Sequence, residues 1–320
     1  MKVLILFSFI YYIAAALRNF FYRRGIFKQC ALGAKVISVG NITWGGTGKT
    51  PAVASIAKAL LKEGKKPAIL LRGYGRDEIK LFSRLVPKVP IMAGKDRVKT
   101  GRQAIQGHSV DTLLLDDGFQ YRRLRRDLDI VCVDATNAFG NGLVIPAGSM
   151  REGLDGLKRA DVFLITRADL VQDTNALTKR LREINPKAVI AKSIHRPAHF
   201  YRLSDEQLVD IEILKNKDIV LLSAVGNPGS FEKTILKIGL KFKRHFIFRD
   251  HHWYTKRDLE KIGDYCTKNN INAIISTEKD AVKLSRFTIH DSRFTILHID
   301  LNIIDNEQGF YNRLSGIYNS

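Results

Sequence analysis

The stretch Val36-Ile37-Ser38-Val39-Gly40-Asn41-Ile42-Thr43-Trp44-Gly45-Gly46-Thr47-Gly48-Lys49-Thr50-Pro51 decides the fold. An apolar run enters a glycine-rich turn, and a helical pattern follows from Pro51 through Leu61. In a strand, turn and helix of this kind, backbone N–H groups at the helix N-terminus cradle phosphates. Lys49 is expected to reach the outer phosphates, and the Thr50 hydroxyl to take a Mg2+ ion. The expected nucleotide-binding residues are Thr43, Gly45, Gly46, Thr47, Gly48, Lys49 and Thr50, with ATP and Mg2+ as cofactors. Pro51 suits the first helical turn, where its missing N–H had no partner to lose. The spacing departs from G-x-x-x-x-G-K-[ST] at one place, Thr43 standing where the first glycine belongs.

With 320 residues and 45% hydrophobic content, the chain has material for two globular domains and a sizeable core. Its 52 Lys and Arg against 32 Asp and Glu leave a charge of +20, which favours an anionic partner. Nucleic acid, an anionic membrane surface and a phosphorylated substrate all fit that sign. No nucleic-acid module is recognisable, so no nucleic-acid partner is expected. Cys30, Cys132 and Cys266 lie far apart, which speaks against a zinc cluster or a disulfide framework.

Residues Val3 to Leu17 are apolar apart from Ser8, and Arg18, Arg23 and Arg24 follow with Phe20, Phe21 and Tyr22 between them. Fifteen helical residues span about 22 Å, short of the roughly 30 Å hydrocarbon core of a bilayer. A cleaved signal peptide shares this pattern, but export would carry the phosphate loop away from ATP. An interfacial anchor on an anionic membrane, facing the cytoplasm and peripheral or monotopic, is the expectation.

Beyond the anchor, apolar runs alternate with helical patterns. Strands are expected at 35–39, 67–71, 89–92, 112–115, 129–133 and 162–166, and helices at 51–62, 100–106 and 174–184. That alternation predicts a P-loop NTPase-type α/β fold, a mostly parallel sheet with helices on both faces. Four parts are expected: an anchor helix (1–25), a P-loop core domain (26–195), a linker with a possible small ribbon (196–212) and a smaller C-terminal α/β domain (213–320).

Five further constellations bear on the chemistry. Leu113-Leu114-Leu115-Asp116-Asp117-Gly118 is a strand ending in two carboxylates. In a phosphate-loop protein, aspartates at such a strand end stand across from Thr50 and help hold Mg2+. Arg122, Arg123, Arg125 and Arg126 suit phosphate oxygens, or equally a solvated face balanced by Asp127 and Asp129. Arg72-Gly73-Tyr74-Gly75-Arg76-Asp77-Glu78 follows the second strand and emerges at the ligand-gathering edge of the sheet, where Asp77 could accept a proton. Asp250-His251-His252 offers a histidine that an aspartate can orient, or simply a packing loop. Thr166-Arg167-Ala168-Asp169 stands where guanine-binding proteins carry Asn-Lys-x-Asp. A membrane-recruited nucleotide switch is therefore the alternative reading, weakened by the two replaced residues.

Taken together these residues resemble the tetraacyldisaccharide 4'-kinase family, the lipid A 4'-kinases. The matching stretches are Val39-Gly40-Asn41 with the phosphate loop, Arg72 to Arg76, Gly94-Lys95-Asp96-Arg97, Leu115 to Gln120 and Arg126-Asp127-Leu128-Asp129. Pro146-Ala147-Gly148 with Arg151-Glu152, Gly226-Asn227-Pro228, Asp250-His251-His252 with Tyr254, and Thr277-Glu278-Lys279-Asp280 follow in family order. The resemblance implies ATP- and Mg2+-dependent phosphorylation of the 4'-hydroxyl of an acylated glucosamine disaccharide 1-phosphate, a lipid A precursor. It implies Lys49 and Thr50 at phosphate and metal, Asp116 and Asp117 at the metal, and Asp77 as base with His251 its partner. Asn41, Arg72, Tyr74, Arg76, Gln120, Arg122 and Arg123 are expected to contact the substrate, and a monomer is expected. The chain departs from the family where the Arg-Gly-Tyr-Gly-Arg and Asp-Glu motifs are fused, with Ile79 in place of proline, and where Tyr121 replaces a usual histidine.

Overall fold

Why the sheet is buried on both faces is visible in its strands, which are apolar at successive positions rather than at alternate ones. The computed structural model describes residues 2–73, 76–287, 291 and 293–319. Two compact units emerge, one of residues 1–194 with 301–320 and the other of residues 195–300.

In the first unit, α1 (Lys2–Arg23) precedes β1 (Lys35–Gly40), α2 (Lys49–Lys62), β2 (Pro67–Leu71), α3 (Arg76–Leu85) and β3 (Ile91–Ala93). Then come α4 (Arg97–His108), β4 (Thr112–Asp116), β5 (Leu128–Asp134), β6 (Val162–Thr166), α5 (Asn175–Ile184) and β7 (Val189–Arg202). The strand order is β7-β6-β5-β1-β4-β2-β3, and its neighbours run parallel. Ile37, Val39, Ile69, Leu71 and Leu114 pack on one side with Ala52, Val53, Ile56 and Leu60 of α2. Val36, Ala68, Leu70, Leu113 and Leu115 pack on the other with Val98 and Ala104 of α4. Register then does the positioning: Val39 pairs with Asp116, so the loop after β1 and the carboxylates after β4 leave the sheet side by side.

The second unit holds β8 (Leu208–Val209), α6 (Ile211–Lys215), β9 (Ile219–Ser223), α7 (Pro228–Lys237), β10 (Arg244–Ile247) and α8 (Lys256–Lys268). It continues with β11 (Ala273–Thr277), α9 (Glu278–Leu284) and the first part of β12 (Phe294–Asp305). Parallel pairs join β10 to β9, β9 to β11 and β11 to β12.

Two expectations about organisation need correction. Residues 196–212 are not a free linker: β7 runs on through Arg202, β8 returns antiparallel against it as a small ribbon, and α6 begins at Ile211. The C-terminal tail is not part of the second unit either. β12 carries the chain back, and Leu301 together with Phe310 and Leu314 of α10 (Glu307–Ser315) joins the core of the first unit. Helix α1 is also longer than the apolar run, 22 residues rather than fifteen, because Asn19 beyond that run is buried and hydrogen-bonded.

Candidate active site

The phosphate loop is shaped by its glycines. Gly48 caps α2 at φ 82° and Gly45 sits at φ 117°, left-handed backbone that suits glycine. A side chain on Gly40 would put its first carbon 2.6 Å from the Phe119 backbone nitrogen, so the strand ends can approach only with glycine there. From the end of β6, two strands away, the Thr166 hydroxyl donates to the Thr47 carbonyl at 2.9 Å. Thr47 and Thr43 are buried, and Thr43 bridges to Met150. The Trp44 N–H donates to the Ser149 carbonyl (2.6 Å) and the Arg151 N–H to the Ile42 carbonyl (2.7 Å). Residues 149–151 therefore brace the loop from outside.

Lys49 opens α2, and its ammonium lies 3.6 Å from the Asp117 carboxylate. Arg151 donates to both oxygens of that carboxylate at 2.7 Å. Burial works upward on Asp117, but Lys49 and Arg151 outweigh it and hold the carboxyl at about 2. Asp116 is the opposite case. Burial, opposed by Lys49 and reinforced by Asp117 and Glu78, pushes it up to about 7. A buried carboxylate in that condition is starved of positive charge, and a divalent cation supplies it. One Asp116 oxygen is buried with no hydrogen-bond partner. Thr50, Asp116 and Asp117 are hard oxygen donors of the kind Mg2+ takes, so the residues present fit the ion. Among the described residues, no three His, Cys, Asp or Glu side chains form a ready-made metal cage.

Three contributors went unread in the sequence. Arg97 is fully buried and clamps the strand end, its guanidinium donating to the carbonyls of Asp116 (2.9 Å) and Asp117 (3.1 Å). Arg151 neutralises Asp117, and Glu78 reaches Asp116 through its charge. Arg97 and Arg151 lie in stretches shared with the family, Gly94 to Arg97 and Arg151-Glu152. That was the available signal.

The expected substrate residues separate. Gln120 donates to the Asn41 carbonyl (2.9 Å) and to Glu152 (3.1 Å), next to the phosphate loop. Asn41 itself is fully buried and its amide donates to the Thr43 carbonyl at 2.6 Å, so its side chain shapes the loop instead of meeting a substrate. Arg72 is exposed at the end of β2, close enough for its charge to act on Arg97. Arg122 donates to the Asn19 carbonyl (2.9 Å) and lies over the Tyr22 ring, while Arg123 pairs with Asp96 at 3.1 Å. These two arginines are thus engaged within the protein. Arg76 begins α3, with its side chain outside the described residues, as is Tyr74 altogether. Asp77 is buried in the first turn of α3.

In the second unit, His251 has φ 62° and an exposed side chain. The Lys279 ammonium lies 3.3 Å from its Nε2 and 2.8 Å from Asp250. Burial raises Asp250, but Lys279 and His251 prevail and hold it below the usual carboxylate range. His252 points elsewhere, to Asp258 at 3.1 Å and onto the Phe248 ring. Underneath, the fully buried Asp280 accepts from the Ala224 N–H (3.1 Å), Tyr254 (3.0 Å) and Thr277 (2.7 Å). Ser223, His245 and Glu232 form a hydrogen-bonded chain of 2.8 and 2.7 Å, but the serine is fully buried and no substrate can reach it.

Arg167, at the lysine position of a guanine-reading motif, is buried and paired with Asp134 at 2.5 Å. Its guanidinium is committed to that carboxylate, so the arginine that replaces the lysine is not directed to a base, and the switch reading is not favoured.

Comparison with known proteins bears directly on this site. The model of the family described as "Tetraacyldisaccharide-1-P 4'-kinase" matches residues 1–318. The tetraacyldisaccharide 4'-kinase of Syntrophus aciditrophicus is 36% identical over 310 residues, covering 87% of this chain and 83% of that protein. That of Elusimicrobium minutum is 36% identical over 300 residues, covering 85% and 79%. The crystal structure of LpxK from Aquifex aeolicus in complex with ATP superposes with a TM-score of 0.74 at 27% identity, covering 99% of both chains. A match over nearly the whole length, with the phosphate loop and both strand-end carboxylates assembled inside it, leaves one conclusion: the chain belongs to the tetraacyldisaccharide 4'-kinase family.

Proposed function

We propose that this kinase moves the γ-phosphoryl group of ATP to the 4'-hydroxyl of a tetraacylated glucosamine disaccharide 1-phosphate, with Asp77 taking the hydroxyl proton. The bond from the sugar oxygen to γ-phosphorus forms, the bond from γ-phosphorus to the bridging oxygen breaks, and ADP departs. The observation that carries the reading is Lys49 beside Asp117 at the mouth of the glycine loop. Lys49 and the loop N–H groups oppose the charge that spreads over the transferring group. Thr50, Asp116 and Asp117 hold Mg2+, which when bound neutralises phosphate charge. Arg97 and Arg151 keep the two carboxylates aimed. His251, steadied by Lys279 and Asp250 within the second unit, is proposed as a further catalytic residue. Gln120 and Arg72 are the proposed contacts to the sugar, together with Tyr74 and Arg76.

The acceptor is a lipid, and α1 offers the means of reaching it. Val3–Arg23 has mean hydropathy 1.8 with 17% of its apolar window buried, long and apolar enough to cross a membrane by length and composition. Its inward stripe is Ser8, Ala15 and Asn19, all buried in the first unit, while Val3, Leu4, Leu6, Phe7, Phe9 and Ile10 are exposed. From residue 8 to 19 is about 16 Å of helix held along the protein. That supports a helix lying in the interface of an anionic membrane, on its cytoplasmic side where ATP is available.

The test is an incubation of the purified protein in detergent micelles with γ-labelled ATP, Mg2+ and the acylated disaccharide phosphate. Label is expected in the lipid. Release of inorganic phosphate at the same rate with and without the lipid, and none in the lipid, would end this proposal.

A further inference from the structure

The segment 144–153 is held from two sides within the first unit. On one side it braces the phosphate loop through the Trp44–Ser149 and Ile42–Arg151 hydrogen bonds, and its Arg151 grips Asp117. On the other side it meets α1 at three successive points. The Ser8 hydroxyl donates to the Val144 carbonyl and accepts from the Ala147 N–H, both at 2.8 Å. The Tyr11 hydroxyl donates to the Arg151 carbonyl at 3.0 Å. The buried Asn19 amide donates to Glu152 at 2.6 Å, and Glu152 in turn binds Arg159 and Gln120, the latter reaching back to the Asn41 carbonyl. Gly153 admits the Tyr12 ring, which a side chain there would meet at 2.4 Å. An anchor needs none of this polar wiring, since its affinity for lipid comes from the opposite, apolar face.

We infer that Tyr11 and Asn19 of α1 are positioning residues for phosphoryl transfer, holding segment 144–153 against the phosphate loop so that Arg151 stays on Asp117. The helix that meets the lipid surface is thereby also a wall of the nucleotide site. Docking of α1 and the competence of that site are linked through two residues and not merely through proximity. The inference rests on the reading that Asp117 helps hold the metal-bound nucleotide.

The experiment compares Tyr11→Phe and Asn19→Ala with the parent protein and with Asp117→Asn. Three readouts are taken: turnover, flotation with vesicles containing anionic lipid, and the Mg2+ concentration needed for tight binding of a fluorescent ATP analogue. Losing one hydrogen bond, neutral for Tyr11 and charge-assisted for Asn19, is expected to lower kcat about five-fold and about ten-fold respectively. The Mg2+ requirement should rise several-fold, with flotation and KM for the lipid unchanged. Tyr11→Phe deletes only a hydroxyl from a partly exposed ring, so it keeps the test open if Asn19→Ala folds poorly. Unchanged kcat and Mg2+ dependence in folded variants, with Asp117→Asn inactive, would overturn the inference alone. A fall in kcat that merely tracks lost flotation would overturn it too, leaving α1 an anchor. Full activity of Asp117→Asn would remove the site reading and this inference with it.

Discussion

Arg97→Met is the most exposing single change to the site, because Arg97 touches neither nucleotide nor lipid in the proposed reading and yet fixes the strand end that does. Its guanidinium donates to two carbonyls, at 2.9 Å to Asp116 and 3.1 Å to Asp117, and it is 1% exposed. Methionine retains the apolar stem and removes both donors. Hydrogen bonds from a charged group contribute about 1.5–3 kcal/mol each, so the gross loss is about 3–6 kcal/mol. Removing the guanidinium also lifts its own desolvation, the first cause of its depressed pKa, and this offsets part of that loss. A net destabilisation of about 3 kcal/mol follows, which in a unit of this size lowers Tm by about 6–12 °C. Turnover should fall further than stability alone explains, because Asp117 sits at φ 53° and has its conformation held by the clamp. The expected result is a kcat about 100-fold lower and a raised Mg2+ requirement, measured below the variant's Tm, with vesicle binding unchanged. Arg97→Lys should recover part of the stability, because a single ammonium can satisfy one carbonyl but does not present the planar fork that spans two. If Arg97→Met loses the expected Tm but keeps kcat and Mg2+ dependence, the clamp is structural only. If neither changes, the reasoning from buried hydrogen bonds is wrong at this site.

Asp77→Ala should lower kcat by about 100- to 10,000-fold while ATP binding, read by fluorescence titration, survives; unchanged turnover would take Asp77 out of the mechanism. Replacing exposed Phe7 and Phe9 of α1 by serine should weaken vesicle binding by more than ten-fold, since each buried apolar side chain contributes about 1.5–3 kcal/mol. Equal flotation of that variant would show that the outer face of α1 does not enter lipid. In the second unit, Asp280→Ala removes a buried carboxylate 3.5 Å from the fully buried Lys283 ammonium, together with the acceptor of the Ala224, Tyr254 and Thr277 donors, and should cost about 3–5 kcal/mol in chemical denaturation. Asp280→Leu with Lys283→Met should be less damaging than Asp280→Ala alone; greater damage would mean that packing around the pair, and not its uncompensated charge, sets the cost.

Much of the fold and part of the site could be read from local pattern. The strand, loop and helix around Lys49 are contiguous, and glycines at two left-handed positions declare themselves in any sequence. Asp116 and Asp117 close an apolar run, and the alternation of runs implied a mostly parallel sheet. Elsewhere the pattern pointed the wrong way. Arg196, Pro197 and His199 break the apolar character of β7 and look like a linker, although the backbone keeps its extended course. The tail after Leu301 reads as more of the second unit, because only packing across the chain shows that Phe310 and Leu314 fill the first core.

The arginines mark the deeper limit. Arg122, Arg123, Arg126, Arg97 and Arg151 are chemically alike, and a guanidinium fork suits a substrate phosphate as well as a carboxylate or a carbonyl. Within the conspicuous cluster, Arg122 meets Asn19 and Arg126 meets Asp129 at 3.0 Å, whereas Arg123 forms an exposed pair with Asp96. The isolated ones, Arg97 and Arg151, carry the site, each reaching Asp117 across 20 and 34 residues of chain. A basic cluster in sequence records charge density, whereas a guanidinium's work depends on which acceptor its fork meets once the strand ends come together. The residues that aim a catalytic group therefore stay hidden until the register of β1 against β4 is known. At this site they are the ones that hold the strand end carrying Asp116 and Asp117, the proposed metal ligands.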